Sequence, residues 1–105
     1  MSKTFRQGDL LFKKVESIPN TATPSNDPII LRGEATGHAH RIKNGLVYRM
    51  FSWRRNGGTM FLKAGKGAVI LHEEHAPLQL EIGFYMIIRQ REYAPEAWGF
   101  RLVED

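Results

Sequence analysis

The chain has 105 residues, of which 42% are hydrophobic and 25% charged; this balance suits one soluble globular domain over residues 1–105 and is too apolar for a disordered segment. Cysteine is absent, which excludes disulfides, thiolate zinc sites, iron–sulfur clusters and a cysteine nucleophile, so any metal must sit on nitrogen and oxygen. The formal net charge of +4 conceals an asymmetry: no Asp or Glu occurs from Ala35 to Leu71, where Arg41, Lys43, Arg49, Arg54, Arg55, Lys63 and Lys66 all lie, and such a block is expected to attract phosphates.

In chain order, the N-terminal segment Met1 to Gln7 lacks an apolar h-region, and no apolar run approaches the length of a membrane span, so a cytoplasmic protein without a membrane partner is expected. Gly8-Asp9 opens Leu10 to Val15, which reads as a strand. Ser17 to Pro28 carries three prolines and reads as a surface loop over residues 17–28. Strand character resumes at Ile29-Ile30-Leu31. Gly33 and Gly37 then bracket Glu34-Ala35-Thr36 and lead into His38 to Ile42, with Lys43-Asn44-Gly45 as a hairpin signal and Leu46 to Phe51 as the return strand. Asn56-Gly57 marks a second turn, followed by short strands at Thr59 to Lys63 and Gly67 to His72. Leu78 to Ile82 alternates, Gly83 precedes Phe84 to Ile88, and Trp98 to Val103 follows the break at Pro95. The pattern predicts an all-β fold of about eight short strands, as a small barrel or two-sheet sandwich in which closure removes exposed edges.

The four histidines form two pairs, His38 with His40 and His72 with His75. On a strand, residues two apart project from one face, so the first pair can share a ligand. The second pair is three apart, but it ends an apolar run just before Pro77, where a turn can aim both rings the same way. Loops at strand ends commonly carry function, so a shared site is expected.

Three readings of that site follow. In the first, the protein is a phosphodiesterase or nuclease acting on RNA or on small, including cyclic, nucleotides. Histidine works as both base and acid near neutral pH, which makes His38, His40, His72 and His75, with Glu73, the candidate catalytic groups. Arg41, Arg54, Arg55 and Arg91 are the candidate phosphate holders, with Arg49, Lys63 and Arg89 as further cations. Trp53 is the candidate for stacking on a base, with Tyr48, Phe51 and Phe61 interleaved among the charges. In the second, His38, His40, His72 and His75 hold one divalent transition metal together with a carboxylate from Glu73, Glu74 or Glu34. In the third, a non-catalytic module binds nucleic acid or another protein through the basic block. Asp9 is a candidate for orienting a histidine, and a two-fold homodimer would offer a symmetric ligand a symmetric site.

His38-Ala39-His40 between Gly33 and Gly45 resembles the first metal motif of the cupins, a likeness that implies a metal-binding β fold; the glutamate expected after that motif is replaced here by Arg41 to Asn44, and His72 and His75 do not form the second motif. Arg6-Gln7-Gly8-Asp9, Gly37-His38-Ala39-His40, His72-Glu73-Glu74-His75 and Gln90-Arg91-Glu92-Tyr93 together resemble a set of small uncharacterised bacterial and phage proteins, a likeness that implies no activity.

Overall fold

The computed structural model describes residues 3–32, 37–51 and 58–89. These form an all-strand fold of eight elements: β1 (Thr4–Gln7), β2 (Leu10–Val15), β3 (Thr23–Ser25), β4 (Ile29–Arg32), β5 (Ala39–Met50), β6 (Thr59–Leu71), β7 (Leu78–Gln79) and β8 (Gly83–Arg89). All pairings are antiparallel, in the order β1-β2-β8-β6-β5-β3, with β4 added on β5 and β7 on β6. Among the described residues no helix is long and apolar enough to cross a membrane.

The expected barrel or two-sheet sandwich is corrected to one continuous sheet, which among the described residues does not close. The reason lies in β5 and β6. Lys43-Asn44-Gly45 does not reverse the chain but bends β5: Asn44 takes φ 64°, and the register shifts between Lys43 and Gly45. Lys43 pairs with Val69 and Gly45 with Ala64, so Asn44 alone faces the stretch from Gly65 to Ala68. The Asn44 side-chain amide donates to the Gly67 carbonyl at 3.1 Å and so fastens the two irregularities together. The expected strands at Thr59 to Lys63 and Gly67 to His72 are consequently one bent strand, β6. One half of the β5–β6 ladder is flanked by β3 and β8, the other by β4 and β7. A bulge increases local twist, and both halves face a shared core.

That core contains Leu10, Phe12, Ile30, Ile42, Val47, Leu62, Ala64, Ala68, Ile70, Leu80, Tyr85 and Ile87. Each large apolar side chain fully withdrawn from water contributes roughly 1.5–3 kcal/mol. Tyr85 is wholly buried, with its ring edge-on to Phe5, and its hydroxyl donates to the Glu81 carbonyl at 2.7 Å. Burial of that hydroxyl raises its pKa.

Three further expectations are revised. Thr4–Gln7, not foreseen as a strand, pairs with β2 across the tight Gly8-Asp9 turn, where Gly8 takes φ 61°. Residues 17–28 include the short β3, whose Pro24 is tolerated because the strand lies at the end of the sheet order. Leu78 to Ile82 is reduced to the two-residue β7, with Leu80 buried beyond it. The expected turn at Asn56-Gly57 and strand at Trp98 to Val103 lie outside the described residues.

Candidate functional site

Three chain segments meet at one end of the sheet: the β1–β2 turn, the start of β5, and the turn that follows β6. Leu31 pairs with His40 and Arg41 with Leu71, so the ladder itself brings the first histidine pair beside the residue preceding His72. The two pairs meet. Ring centroids lie 5.7 Å apart for His38 and His72, 4.4 Å for His40 and His72, 4.5 Å for His72 and His75, and 5.9 Å for His40 and His75, the last two rings being near parallel at 20°. They line a cavity of about 180 Å³ together with Asp9, Leu31, Arg32, Glu74 and Arg89. A larger cavity of about 340 Å³ beside Ser17 to Asn20 offers only Tyr48 and Lys63 as titratable groups.

The hydrogen bonds around the rings determine their tautomers. Gln7 is 3% exposed, and its amide nitrogen donates to the carbonyls of Ile70 (2.8 Å) and Ala76 (2.9 Å). Its oxygen must therefore face His40 Nδ1, 2.9 Å away, which assigns the proton to that nitrogen and leaves a lone pair on Nε2 of the neutral ring. His72 Nδ1 receives the backbone N–H of Glu74 at 3.0 Å and of His75 at 3.3 Å, so it is an acceptor and Nε2 carries the proton. His75 Nδ1 lies 3.1 Å from that same atom, so the two rings meet edge to edge at their Nδ1 positions. The ring of His75 rests on Gly8: a Cβ there would come within 2.7 Å of its Cε1, and the backbone conformation independently favours glycine.

Burial, then the neighbouring His72, lowers the His40 pKa to about 4 against the opposing pull of Asp9. The His72 pKa is lowered as well, by burial first and then by His75. Both rings are therefore neutral at pH 7. His40 Nε2 lies 3.5 Å from Asp9 Oδ1, and Asp9 Oδ2 accepts from Arg89 Nε at 3.3 Å. Across the pocket, His38 Nδ1 lies 3.5 Å from Glu74 Oε2.

Glu73, foreseen as a catalytic candidate, ties the histidine turn to β5. One oxygen accepts the Ala39 N–H and the other the Arg41 guanidinium, both at 2.9 Å. The Ala39 hydrogen bond, with further help from the Glu73 N–H and Arg41, brings its pKa down to about 2. Arg41 is thus paired with Glu73 and is not among the residues lining the pocket; Arg32 and Arg89 are the cations there. Arg54, Arg55, Arg91, Trp53 and Glu34 lie outside the described residues. Sequence reasoning did not find Gln7 or Arg32. Their placement depends on strand pairings that leave no local signal, although Gln7 adjoins the flagged Gly8-Asp9 turn.

A family model described as a domain of unknown function, DUF8820, matches residues 6–90, and the chain belongs to that family. The matched span contains all four histidines together with Gln7, Asp9, Arg32 and Arg89. Neither the comparison with curated proteins nor that with solved structures gives a match.

Proposed function

We propose that this member of the DUF8820 family cleaves phosphodiester bonds in RNA or in small, including cyclic, nucleotides, in the pocket between its two histidine pairs. The observation that carries the reading is the convergence of His38, His40, His72 and His75 with Arg32 and Arg89 on one cavity. Cleavage at phosphorus needs a proton acceptor for the incoming oxygen, a donor for the leaving oxygen, and positive charge for the phosphoryl oxygens. In this reading His38, beside Glu74, accepts the proton of the incoming oxygen, the neutral His72 donates a hydrogen bond through Nε2–H to a phosphoryl oxygen, and the leaving oxygen takes its proton from solvent water. Arg32 and Arg89 hold the phosphate, taking the part expected of Arg41. All the named groups come from one chain, so the reading does not require a homodimer. The likeness to the cupin motif adds no residue to it beyond His38 and His40.

A turnover assay on oligoribonucleotides and cyclic mononucleotides tests this. The wild-type protein should cleave at least one class, and His38→Ala and His72→Ala should each lower kcat/KM by about 10²-fold or more with the fold intact. Cleavage that both variants retain in full would sink the assignment. Salt-sensitive RNA binding with no turnover would leave a binding module in its place.

A further inference from the structure

We infer that the larger cavity, on the face of the sheet turned away from the core, receives one unpaired base of single-stranded RNA, with Tyr48 and Phe84 as its stacking surfaces and Lys63 on the adjoining phosphate. The inference rests on the cleavage reading only for RNA as the strand, and it deepens that reading by favouring a strand among its substrates. Successive residues of a strand point to opposite faces, and Phe12, Val47, Leu62 and Tyr85 belong to the core. Their neighbours form two rows on the other face. Tyr48, Phe61, Met86 and Lys13 are partners across β5, β6, β8 and β2, and so are Leu46, Lys63, Phe84 and Val15. Phe61 is 6% exposed yet is not among the core residues, as that placement requires.

The cavity of about 340 Å³ has the size of a small-ligand site and shares no lining residue with the histidine pocket. The segment between β2 and β3 supplies one wall, through Ser17 to Asn20 and Ala22. That wall is fastened: the Ala22 N–H donates to the Pro19 carbonyl at 3.0 Å, the Thr21 hydroxyl donates to Met50 Sδ at 3.1 Å, and β3 follows at once on β5. The sheet supplies the rest with Tyr48, Lys63 and Phe84, the two rings half-buried and the lysine exposed. Among the described residues neither ring packs on another aromatic, the Tyr48 hydroxyl makes no hydrogen bond, and Lys63 makes no ion pair. Lys3, Lys14, Arg41 and Arg89, by contrast, each meet a carboxylate.

Aromatic rings beside an unpaired cation are what an unstacked base and its phosphate require: each ring offers a π face, which every base can match, and the ammonium meets the phosphate. Aromatics on the open face of an antiparallel sheet hold RNA bases in this way. A duplex keeps its bases in the stack and offers the rings nothing. Along β5, Tyr48 lies eight residues beyond His40, up to about 26 Å at about 3.3 Å per strand residue. A mononucleotide cannot occupy both cavities, whereas a strand of several nucleotides can. If Tyr48 and Phe84 served only to cover Phe61, their removal would cost stability and leave affinity for RNA alone.

The test is fluorescence anisotropy of the full chain with a labelled single-stranded RNA of about ten nucleotides, its 2′-hydroxyls methylated to resist cleavage. Tyr48→Ala and Phe84→Ala should each weaken binding by about 5- to 100-fold, the loss of one stacked base, while Tyr48→Phe should stay within about two-fold of wild type. Lys63→Gln should lower the slope of log affinity against log salt by about 0.7. Affinity retained by both folded alanine variants, or a duplex of the same sequence binding as tightly as the single strand, would overturn the proposal. Nuclear magnetic resonance of wild-type protein with isotope-labelled aromatic rings gives a second readout that needs no variant. Adding the strand should shift the ring signals of Tyr48 and Phe84 and leave those of Phe12 and Tyr85 in place; unmoved Tyr48 and Phe84 signals count against the site. The result is separable from the cleavage reading. Strand binding that the alanine variants lose, without turnover, leaves this site standing and removes the phosphodiesterase; turnover of RNA with affinity unmoved in those variants does the reverse.

Discussion

His40 shows most clearly how burial and hydrogen bonding set the character of a single residue. An imidazole in the unfolded chain takes its proton near pH 6.5, whereas burial delays that event in the folded protein to about pH 4. Between those values the unfolded state holds more protons, so the stability contributed by neutral His40 is complete above pH 6.5 and is lost as pH falls toward 4. Fully developed, this shift corresponds to about 3 kcal/mol. Glu73 acts in a lower window, since its depressed pKa gives stability that is present above pH 4.5 and lost as pH falls through about 2. Urea unfolding as a function of pH should therefore show a decline from pH 6.5 to 4 that is smaller in a folded His40→Gln variant, where only His72 still contributes to it, and a further decline below pH 4.5 that is smaller in Glu73→Gln, where Glu81 still contributes. A wild-type protein equally stable at pH 7 and pH 4 would show that His40 is not held neutral by its surroundings. The pairing of the histidines was legible because close spacing survives any fold that turns at those points. The role of Gln7 was not, because it depends on carbonyls 63 and 69 residues away.

Individual strands were legible where alternation or bulk marked them, as in β2, β4 and β8, and misread where a turn signal was used for something else. Asn44-Gly45 has the composition of a two-residue hairpin, yet such dipeptides report only a local tolerance of positive φ. Whether the chain reverses or bulges is decided across the ladder, here by Gly65 to Ala68, and no local window contains that information. The two positions should respond differently to mutation. Asn44 holds φ 64°, which glycine accepts readily, so Asn44→Gly should change stability by about 1 kcal/mol or less even though it removes an exposed hydrogen bond to Gly67. At Gly45 an added Cβ would meet the Lys63 carbonyl oxygen at 2.9 Å and Ile42 Cγ1 at 2.8 Å, and the carbonyl belongs to the adjoining strand and cannot turn aside. Gly45→Ala should cost about 1–3 kcal/mol, read as a lower urea midpoint at unchanged slope. If Gly45→Ala is neutral while Asn44→Gly is costly, the bend depends on the asparagine side chain and not on close approach of the two strands.

At the scale of the whole molecule the question is how far a bound chain extends. The cavity of about 180 Å³ is too small for more than part of a nucleotide, so any longer substrate must cross the surface. On that surface β5 and β6 expose Lys43, Arg49, Lys63 and Lys66, and no acidic residue occurs between Ala35 and Leu71 to offset them. Each phosphate neutralised along a single strand adds about 0.7 to the slope of log affinity against log salt. Arg32→Gln should therefore reduce that slope by about 0.7 for an oligoribonucleotide, and Lys43→Gln and Lys63→Gln should do the same if the strand follows the basic face. A cyclic mononucleotide places its one phosphate in the pocket and has no further phosphate to lay along the basic face, so its affinity should fall with Arg32→Gln and be unmoved by either lysine substitution. Measured with both ligands, the three variants separate two substrates that share one site chemistry. A slope that both lysine variants leave intact would confine the substrate to the pocket and make the basic face an ordinary solvated surface.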